Sequence, residues 1–548
     1  MPSAETSFKT ATTTPLNMSA DALIVPVFEQ PAPKSSGAGK KTGKAPKASL
    51  SWTPTLKALD KALQGMIATV ATDENYTGAK GKLLVFRKGP ADQLAARRVV
   101  VIGLGDAGKV TPADVEKQLL SALRATTALD KLSHVAVALP AGNLPQCPQA
   151  TLLINTVDAV LQCTYRSAEA KKKGPAIKTI TLLSDKPLTA GEKTALAQGE
   201  VMAKARSLSK DLTNKPPNLK STQTMVATAK DIAGKGPVAL TVQNSVSWIE
   251  KNMPCFFTVA RGSLATDPPK FLKLTYTPKG PVRKKIALVG KSVMFDTGGY
   301  QVKTGNFMNT MKGDMTGGAL VLGVMKALRE LAPPNVAVTA YLAATPNKID
   351  SDAMVPDSIV NTTCGKKVEI RHTDAEGRLT LIDAVAKAAE DKPEEIITVA
   401  TLTGSASMAV GMSIALMGNN PDLEGRVLAA AETLGEPIQP LRVTDEDYDN
   451  IKSKLDGADI INTSHSRSRG AQSAAAFVMS GAPNGMPMAH LDIAGADMTS
   501  DEKATGIGQK TLIQFILNES EKLAKAPVKK SAGPAVSKSA KKTSKKRG

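Results

Sequence analysis

Short apolar runs with strand character alternate with helical patterns along most of this chain, and this alternation limits the fold more than any other feature. In the first half, strands are predicted at 22–28, 82–86, 98–102, 134–139 and 177–183. Helices are predicted between and after them, at 54–64, 112–128, 150–162 and 190–209. Such alternation favours an α/β architecture, in which helices cover both faces of a mostly parallel sheet.

In the second half of the chain, strand and helix patterns alternate more strongly. Asp314 stands where an N-cap would begin a helix at 315–331. Further strands are predicted at 285–289, 336–343 and 395–401, and a further helix at 378–390. Charged residues therefore gather after strands and before helices, which is where open α/β sheets bind ligands.

The chain is too long for one hydrophobic core, because 548 residues exceed the size at which single cores stop growing. The double proline at 216–217 must end the helix before it. We place a domain boundary just upstream, near residue 200. The predicted units are an N-terminal α/β domain at 1–200, a C-terminal α/β domain at 201–525 and a basic tail at 526–548.

Positive charge is concentrated in two segments. The formal net charge is +20. The segment 31–49 has five lysines and the segment 522–548 has nine lysines and one arginine; neither has an acidic residue, so together they carry 15 of these charges. Both are rich in proline, glycine, serine or alanine, and we expect a disordered insertion at 31–49 and a disordered tail.

Cysteine spacing, hydropathy and the first residues of the chain bear on the cellular compartment. Four cysteines lie far apart without a CxxC pair, which fits a reducing compartment rather than a disulfide framework. No run of 18 apolar residues predicts a membrane span, and the first 20 residues lack the apolar centre of a secretory signal. We expect a cytoplasmic protein without membrane association, with a mitochondrial location as the alternative.

The segment 372–379, His-Thr-Asp-Ala-Glu-Gly-Arg-Leu, places two carboxylates and a guanidinium within five residues. In an extended segment, side chains at alternate positions point the same way. Asp374, Glu376 and Arg378 would then converge on one side, and Gly377 would allow a close approach there. This pattern indicates a functional site rather than a core.

An upstream segment has a similar density of charge and glycine. Residues 289–299 read Val-Gly-Lys-Ser-Val-Met-Phe-Asp-Thr-Gly-Gly, and Lys303 and Lys-Gly-Asp-Met-Thr-Gly-Gly at 312–318 follow. The carboxylates of both segments carry a formal charge of −4, which two divalent cations would neutralise. Two cations about 3.5–4 Å apart can polarise a carbonyl, generate hydroxide and hold a free amine. The four carboxylates are Asp296, Asp314, Asp374 and Glu376.

The two segments resemble the paired signatures of the leucyl aminopeptidases, a family of two-metal exopeptidases. The resemblance covers roughly residues 200–520, with further matches at 214–218, 400–404, 458–459 and 489–495. It implies a C-terminal dimetal peptidase domain with a mixed sheet covered by helices, and a macro-like N-terminal domain. It also implies two divalent metal ions per subunit (Zn²⁺ or Mn²⁺, with Co²⁺ or Mg²⁺ possible), bicarbonate, peptide substrates with N-terminal leucine preferred, and a homohexamer.

The resemblance also assigns roles. Lys291, as a neutral amine, and Asp314 would complete one metal site, and Asp374 the other. Lys303 would polarise the scissile carbonyl, and Arg378 would hold the bicarbonate that shuttles a proton. The bridging carboxylates would be Asp296 and Glu376, and the substrate would meet Met311, Thr401, Leu402, Gly404 and His372, which stands where the family usually has asparagine.

Two other interpretations remain open. The stretch 103–108 matches GxGxxG after a predicted strand, yet no acidic residue ends the next strand at the distance expected for dinucleotide binding, and a tight strand-to-helix turn explains its glycines. His490 is interpreted as a structural histidine. The alternative function is a nucleic-acid-binding protein on the same scaffold, whose basic tail would neutralise phosphates. That tail has no aromatic residue, so base stacking is not indicated.

Overall fold

The computed structural model describes residues 6–32, 47–129, 132–140, 144–167, 177–234, 236–466 and 468–526, and these form two α/β domains. The predicted fold class is thereby confirmed. Most of the predicted insertion and all of the tail beyond Ala526 lie outside the described residues, so their disorder stays a prediction. Among the described residues, no helix combines the length and the apolar character that crossing a membrane requires.

The N-terminal sheet has the strand order β1-β7-β6-β2-β5-β4, with β3 paired to β2, and most of its neighbours are parallel. Strand β1 was not predicted, because its polar sequence lies half exposed at the sheet edge. The strands are β1 (Ser7–Ala11), β2 (Ala22–Gln30), β3 (Ser49–Leu50), β4 (Leu83–Arg87), β5 (Arg98–Asp106), β6 (His134–Ala138) and β7 (Thr179–Leu183), and the helices are α1 (Pro54–Ala62), α2 (Met66–Asp73), α3 (Pro112–Leu129) and α4 (Gln149–Thr164).

Helices cover both faces of this sheet. Along β2, Ile24 packs into one hydrophobic cluster with residues of α3 and α4, whereas Leu23 and Val25 pack into a second cluster with residues of α1 and α2. Successive side chains of a strand point to opposite faces, so both faces of β2 are buried. This burial explains why the strand is apolar throughout rather than alternating.

A single helix, α5 (Ala190–Asn214), leads from the first domain into the second. It begins with a capping box between Thr189 and Glu192 and ends before Pro216. The predicted boundary near residue 200 falls inside it, and the exact division of the chain stays a prediction.

The C-terminal sheet has the order β17-β16-β19-β15-β10-β12-β9-β8, with β11 paired to β12; a small sheet has the order β13-β14-β18. The strands are β8 (Val238–Gln243), β9 (Lys270–Tyr276), β10 (Lys284–Gly290), β11 (Ser292–Asp296), β12 (Val336–Asn347), β13 (Ile359–Asn361), β14 (Lys367–Glu369), β15 (Glu395–Ala400), β16 (Ile414–Gly418), β17 (Ile438–Pro440), β18 (Ile460–Ile461) and β19 (Met488–Asp492).

The helices of this domain cover both faces of the large sheet. Leu288 of β10 packs into one cluster, whereas its neighbours Ala287 and Val289 pack into another. The helices are α6 (Thr222–Ala233), α7 (Val246–Asn252), α8 (Pro254–Ala260), α9 (Thr316–Leu331), α10 (Glu376–Glu390), α11 (Gly404–Val410), α12 (Pro421–Leu434), α13 (Asp445–Asp449), α14 (Gly470–Met479) and α15 (Gln509–Lys525).

Buried ion pairs join the two domains. Arg206 of α5 lies 2.5 Å from Asp158 of α4 and 2.8 Å from Glu116 of α3. Lys510 of α15 lies 2.5 Å from the other oxygen of Glu116 and donates to Asn155. Removing one member of such a cluster would leave a buried charge without its partner. The cluster therefore fixes how the helices of the first domain sit on the second.

Candidate active site

The parallel strands β10 and β15 end beside each other, and a cavity of about 720 Å³ opens at their C-terminal ends. Lys291 directly follows β10, Asp296 ends β11 and Thr401 directly follows β15. Every residue to which the sequence analysis assigned a site role lines this cavity; these are Lys291, Asp296, Lys303, Met311, Asp314, His372, Asp374, Glu376, Arg378, Thr401, Leu402 and Gly404. The roles of these residues stay predictions, but the structure brings all of them together.

Lys291 occupies the buried centre of one side of the site. Its Nζ lies 2.6 Å from Asp314 Oδ1 and 3.1 Å from Glu376 Oε1, and it donates to the carbonyl oxygen of Thr401 at 2.9 Å. A Cβ on Gly377 would lie 2.3 Å from Lys291 Cε, so this glycine makes the approach possible. Burial alone would lower the pKa of Lys291, but Asp314 and Glu376 outweigh it and raise that pKa.

Lys303 occupies the other side. Its Nζ lies 2.6 Å from Asp374 Oδ1 and 2.9 Å from Asp296 Oδ2. Burial opposes its charge, yet Asp296 and Asp374 raise its pKa. Two ammonium groups therefore supply the positive charge that lies between the four carboxylates.

Asn347, which the sequence analysis did not identify, helps to join the two charged segments. Its Nδ2 donates to Asp296 Oδ1 at 2.8 Å and to the carbonyl oxygen of Thr373 at 3.1 Å. The Thr373 hydroxyl in turn donates to the carbonyl oxygen of Gly298 at 2.6 Å. The carboxylate of Asp296 is thus oriented by a buried amide before any ligand is considered.

Two local predictions were wrong. The segment around Glu376 is not extended: α10 begins at Glu376, and Arg378 lies in its first turn. The side chains converge because the helix N-terminus points into the cavity, not because alternate positions of a strand share a face. Asp314 does not cap α9 either, since Met315 is the N-cap and the Asp314 carboxylate contacts Lys291 and Thr401 instead.

The donor set fits divalent cations. Oxygen atoms of Asp296, Asp314 and Glu376 all lie within 4.8 Å of one another. Asp314 Oδ2 is buried and has no hydrogen-bond partner among the described residues. Buried polar groups normally have partners, so this oxygen is available as a ligand. Asp374 stands outside this trio but is linked to Asp296 through Lys303.

The two lysines do not supply enough positive charge to keep all four carboxyl groups ionised. Burial raises the pKa of Asp314 well above its usual value, and the neighbouring carboxylates of Glu376 and Asp296 add to this effect. Burial also raises the pKa of Asp374 to about 7, with Asp296 contributing. In Asp296 burial acts the same way, but Lys303 and Lys291 lower its pKa overall. Cations shared among these groups would stabilise the ionised forms.

Arg378 is a half-buried cation on the cavity wall. Burial lowers the pKa of its guanidinium to about 10, although Glu376 and Asp492 favour the charged form. Its Nε has no hydrogen-bond partner among the described residues. A guanidinium is a planar fork of donors that matches the oxygens of a small anion, so Arg378 fits the predicted bicarbonate.

His372 is held as a neutral ring. The backbone N–H of Asp374 donates to His372 Nδ1 at 3.2 Å, which requires an unprotonated nitrogen there. Burial lowers the pKa of His372, and the charges of Lys303 and Arg378 lower it further. The imidazole therefore offers the cavity a hydrogen-bonding group rather than a positive charge.

The remaining predicted residues form less polar parts of the wall. Thr401 donates through its hydroxyl to Asp314 Oδ1 at 2.8 Å. The N–H of Leu402 donates to Asp492 Oδ1 at 3.0 Å. A Cβ on Gly404 would meet nothing within 4 Å, so the wall there is open, and Met311 begins the turn that leads to Asp314.

Several residues at or next to the cavity were given no role in the sequence analysis. Asp492 lies in the matched segment 489–495 and accepts from the Thr403 hydroxyl at 2.8 Å. Its position at the end of β19, next to β15 in the sheet, could have identified it. No comparable signal marks Phe307, Ser407, Asp497 or Met498, which reach the cavity from loops or short helices.

The fold and the site define a class: a two-domain α/β protein with a carboxylate and lysine site at strand ends. Comparisons with known proteins specify it. The family model for the cytosol aminopeptidase family, catalytic domain, matches residues 207–513, and that for the N-terminal domain matches residues 24–173. The chain belongs to the cytosol aminopeptidase family and is a metal-dependent aminopeptidase.

Individual relatives agree with this assignment. A probable cytosol aminopeptidase of Gloeothece citriformis is 33% identical over 475 residues, which is 85% of this chain and 94% of the relative. Leucine aminopeptidase 2, chloroplastic, of Arabidopsis thaliana is 33% identical over 479 residues, covering 85% of this chain and 80% of the relative.

Solved structures show the same fold. A mutant of tomato leucine aminopeptidase superposes with a TM-score of 0.83 at 27% identity, covering 94% of this chain and 97% of that one. The bottromycin maturation enzyme BotP in complex with Mn has a TM-score of 0.75 at 25% identity, covering 91% and 100%.

Proposed function

We propose that this enzyme removes apolar N-terminal residues, leucine preferentially, from peptides. The observation that carries the proposal is the trio of carboxylates Asp296, Asp314 and Glu376 beside buried Lys291 and half-buried Lys303 at one cavity. The metal ions would be Zn²⁺ or Mn²⁺, with Co²⁺ or Mg²⁺ as alternatives. The location would be cytoplasmic, which the names of relatives called cytosol aminopeptidase support, although one relative is chloroplastic and a mitochondrial location is the alternative. The homohexamer is proposed from the family resemblance alone.

The chain's own residues would divide the metal binding. Asp296 and Glu376 would bridge two cations, Lys291 and Asp314 would complete one site and Asp374 the other. Lys291 would have to give up its proton, which becomes favourable once Asp314 and Glu376 hold cations instead of the ammonium group. When bound, such a pair of metals would polarise the scissile carbonyl, activate a water and hold the free α-amine.

Lys303 would act on the substrate directly. It would give up its ion pairs once Asp296 and Asp374 hold cations, and its ammonium would then donate to the carbonyl oxygen of the scissile bond. A donor aimed at developing negative charge is among the larger contributions to catalysis. Arg378 would hold bicarbonate, which would supply a proton carrier beside the scissile bond.

The other wall residues would position the peptide. Met311, Thr401 and Gly404 would surround the side chain of the first residue, and the open space at Gly404 would leave room for a branched side chain. Leu402 would meet the peptide backbone. Neutral His372 would face the second residue of the substrate.

A panel of amino-acid amides tests the proposal, assayed with Mn²⁺, Zn²⁺, Co²⁺ or Mg²⁺. Leucinamide should be among the best substrates, and N-acetyl-leucinamide should not be cleaved, because only a free amine can bind a metal. Activity should rise into the alkaline range, since an unperturbed α-amine loses its proton at a pKa of about 8. Full activity after exhaustive chelation, or equal cleavage of the acetylated amide, would contradict the proposal.

Two variants separate chemistry from metal binding. Lys303→Ala should lower kcat by about 10²- to 10³-fold while the metal content stays intact. Asp374→Ala should lose metal as well as activity. Equal metal loss in both variants would show that the role assigned to Lys303 is wrong.

A further inference from the structure

A carboxylate outside the predicted metal ligands lines the same cavity. Asp497 lies on the loop after β19, and Met311 and Met498 line the cavity with it. A Cβ on Gly313 would lie 3.2 Å from Asp497 Oδ2 and 2.3 Å from Met498 Cε. Asp497 and Met498 therefore cover the turn that begins at Met311 and leads into Asp314.

Asp497 has the properties of a carboxylate that lacks a cationic partner. No lysine, arginine or histidine of the described residues forms an ion pair with it. Burial raises the pKa of its carboxyl to about 7 and Asp492 acts in the same direction, whereas two backbone N–H groups and the charge of Lys291 oppose this rise. Asp497 is not one of the carboxylates whose oxygens meet within 4.8 Å. A cation brought into the cavity would stabilise its ionised form.

We propose that Asp497 is a specificity-determining residue that lets the site accept peptides with an N-terminal lysine or arginine in addition to leucine. The inference rests on the proposed function, in which the first side chain lies beside Met311. The methylene stem of lysine would lie along the thioethers of Met311 and Met498, which adapt to different shapes. Its ammonium would reach the Asp497 carboxylate and form a charge-assisted hydrogen bond.

A matched pair of substrates isolates this contact. Lysinamide and norleucinamide share a linear side chain and differ in the terminal ammonium. Comparing the ratio of their kcat/KM values between proteins cancels the difference in their α-amine pKa values. Free lysine and norleucine, used as competitive inhibitors, give a second ratio that depends on binding alone.

The variant Asp497→Asn keeps the shape and removes the charge. We expect the lysine-to-norleucine ratio to fall about ten-fold or more for both hydrolysis and inhibition, because a hydrogen bond between charged groups is considerably stronger than a neutral one. Asp497→Met should lower the ratio at least as far. The control is Asp501→Asn on the same loop, since Asp501 is exposed and pairs with Lys503, and this change should leave the ratio as it is.

Three outcomes would overturn the inference. Unchanged kcat/KM values for both substrates in Asp497→Asn would show that the carboxylate does not meet the first side chain. Equal losses for lysine and norleucine would mean that Asp497 acts on a group common to both, such as the α-amine. Loss of bound metal would mean that it is a ligand. If the wild-type protein cleaves neither amide nor leucinamide, the proposed function itself is wrong and the inference falls with it.

Discussion

The two domains of this molecule use glycine differently where two parts of the chain approach each other closely. In the N-terminal sheet, a Cβ on Gly103 would lie 2.2 Å from the backbone oxygen of Ala79. In the C-terminal domain, a Cβ on Gly377 would lie 2.3 Å from Cε of the charged side chain of Lys291. Glycine thus allows a close approach in both domains, but only the approach at Gly377 involves a side chain of the candidate active site.

This difference explains why the GxGxxG pattern was a poor guide to function. Strand β5 runs through Gly103 and Gly105 to Asp106, whose side chain accepts from the N–H of Gly108. Gly105 has a φ of +80°, a conformation that few other residues adopt. These glycines therefore have packing and turn roles. Function has to be argued from the groups that converge on a site, not from the fold or a glycine pattern alone.

The largest effect is expected for Gly377→Ala. The added methyl group would displace Lys291, whose amine is fixed by Asp314 and Glu376 and cannot move aside freely. Displacement of a catalytic group by about 1 Å can cost about 10²-fold in rate, so kcat/KM for leucinamide should fall by about that factor. Metal content should fall too, measured by elemental analysis.

Gly425→Ala is the matched control, because a Cβ there meets nothing within 4 Å in the middle of α12. It should retain full activity. Full activity in Gly377→Ala would contradict the distinction between the two domains, since Gly377 would then be a packing glycine like Gly103.

The next effect concerns stability rather than rate. Gly103→Ala places a methyl group against the backbone of Ala79, which cannot move like a flexible side chain. We expect the free energy of unfolding of the N-terminal domain to fall by about 3 kcal/mol. For the protein that remains folded, kcat should match the wild type. A selective loss of kcat without a shift in the urea midpoint would contradict the distinction between the two domains.

The sequence predicted the fold better than it predicted local conformation. Apolar runs such as 98–102 and 395–401 appear as β5 and β15, because a strand buried on both faces has a strong and local apolar signal. Edge strand β1 has no such signal, since it is half exposed. The helix start at Glu376 was missed because Ala375, its N-cap, does not have a capping side chain.

The residues of the candidate site also divide into those that the sequence could predict and those that it could not. Its charged residues could be predicted because two short segments contain them at recognisable spacing. Asn347 and Asp497 could not, because they come from other parts of the chain and only tertiary packing brings them to the cavity. Residues that orient a catalytic-site carboxylate, as Asn347 does, or that select a substrate, as proposed for Asp497, have no sequence pattern of their own.

A smaller effect, on the pH dependence of stability, is expected from replacing one histidine in each sheet. His490 of β19 and His134 of β6 each contact a threonine hydroxyl on a neighbouring strand, at 2.7 Å (Thr398) and 2.9 Å (Thr181). His490 is fully buried, and burial with the charge of Arg378 lowers its pKa to about 3. The pKa of half-buried His134 is lowered too, chiefly by burial.

A lowered histidine pKa means that the unfolded state binds the proton more tightly. The contribution of neutral His490 is therefore complete above the unfolded pKa of about 6.5 and is lost as the pH falls toward 3. Between pH 7.5 and 5.5, the wild type should lose about 1.4 kcal/mol more unfolding free energy than His490→Asn. His134→Asn is the control and should change the pH dependence less; an equal change would show that burial does not set the difference.

The smallest effect on catalysis is expected from removing the basic tail. Truncation after Ala526 deletes seven lysines and one arginine and leaves every described residue of both sheets and of the cavity in place. We expect kcat/KM for leucinamide to stay unchanged. Any binding of DNA or RNA should weaken with the truncation and fall steeply with salt, because it would arise from the release of counterions. A variant with the five lysines of 31–49 changed to serine separates the two basic segments. If the truncated protein lost peptidase activity, the comparison would fail, since catalysis would then need a part of the chain beyond the C-terminal sheet.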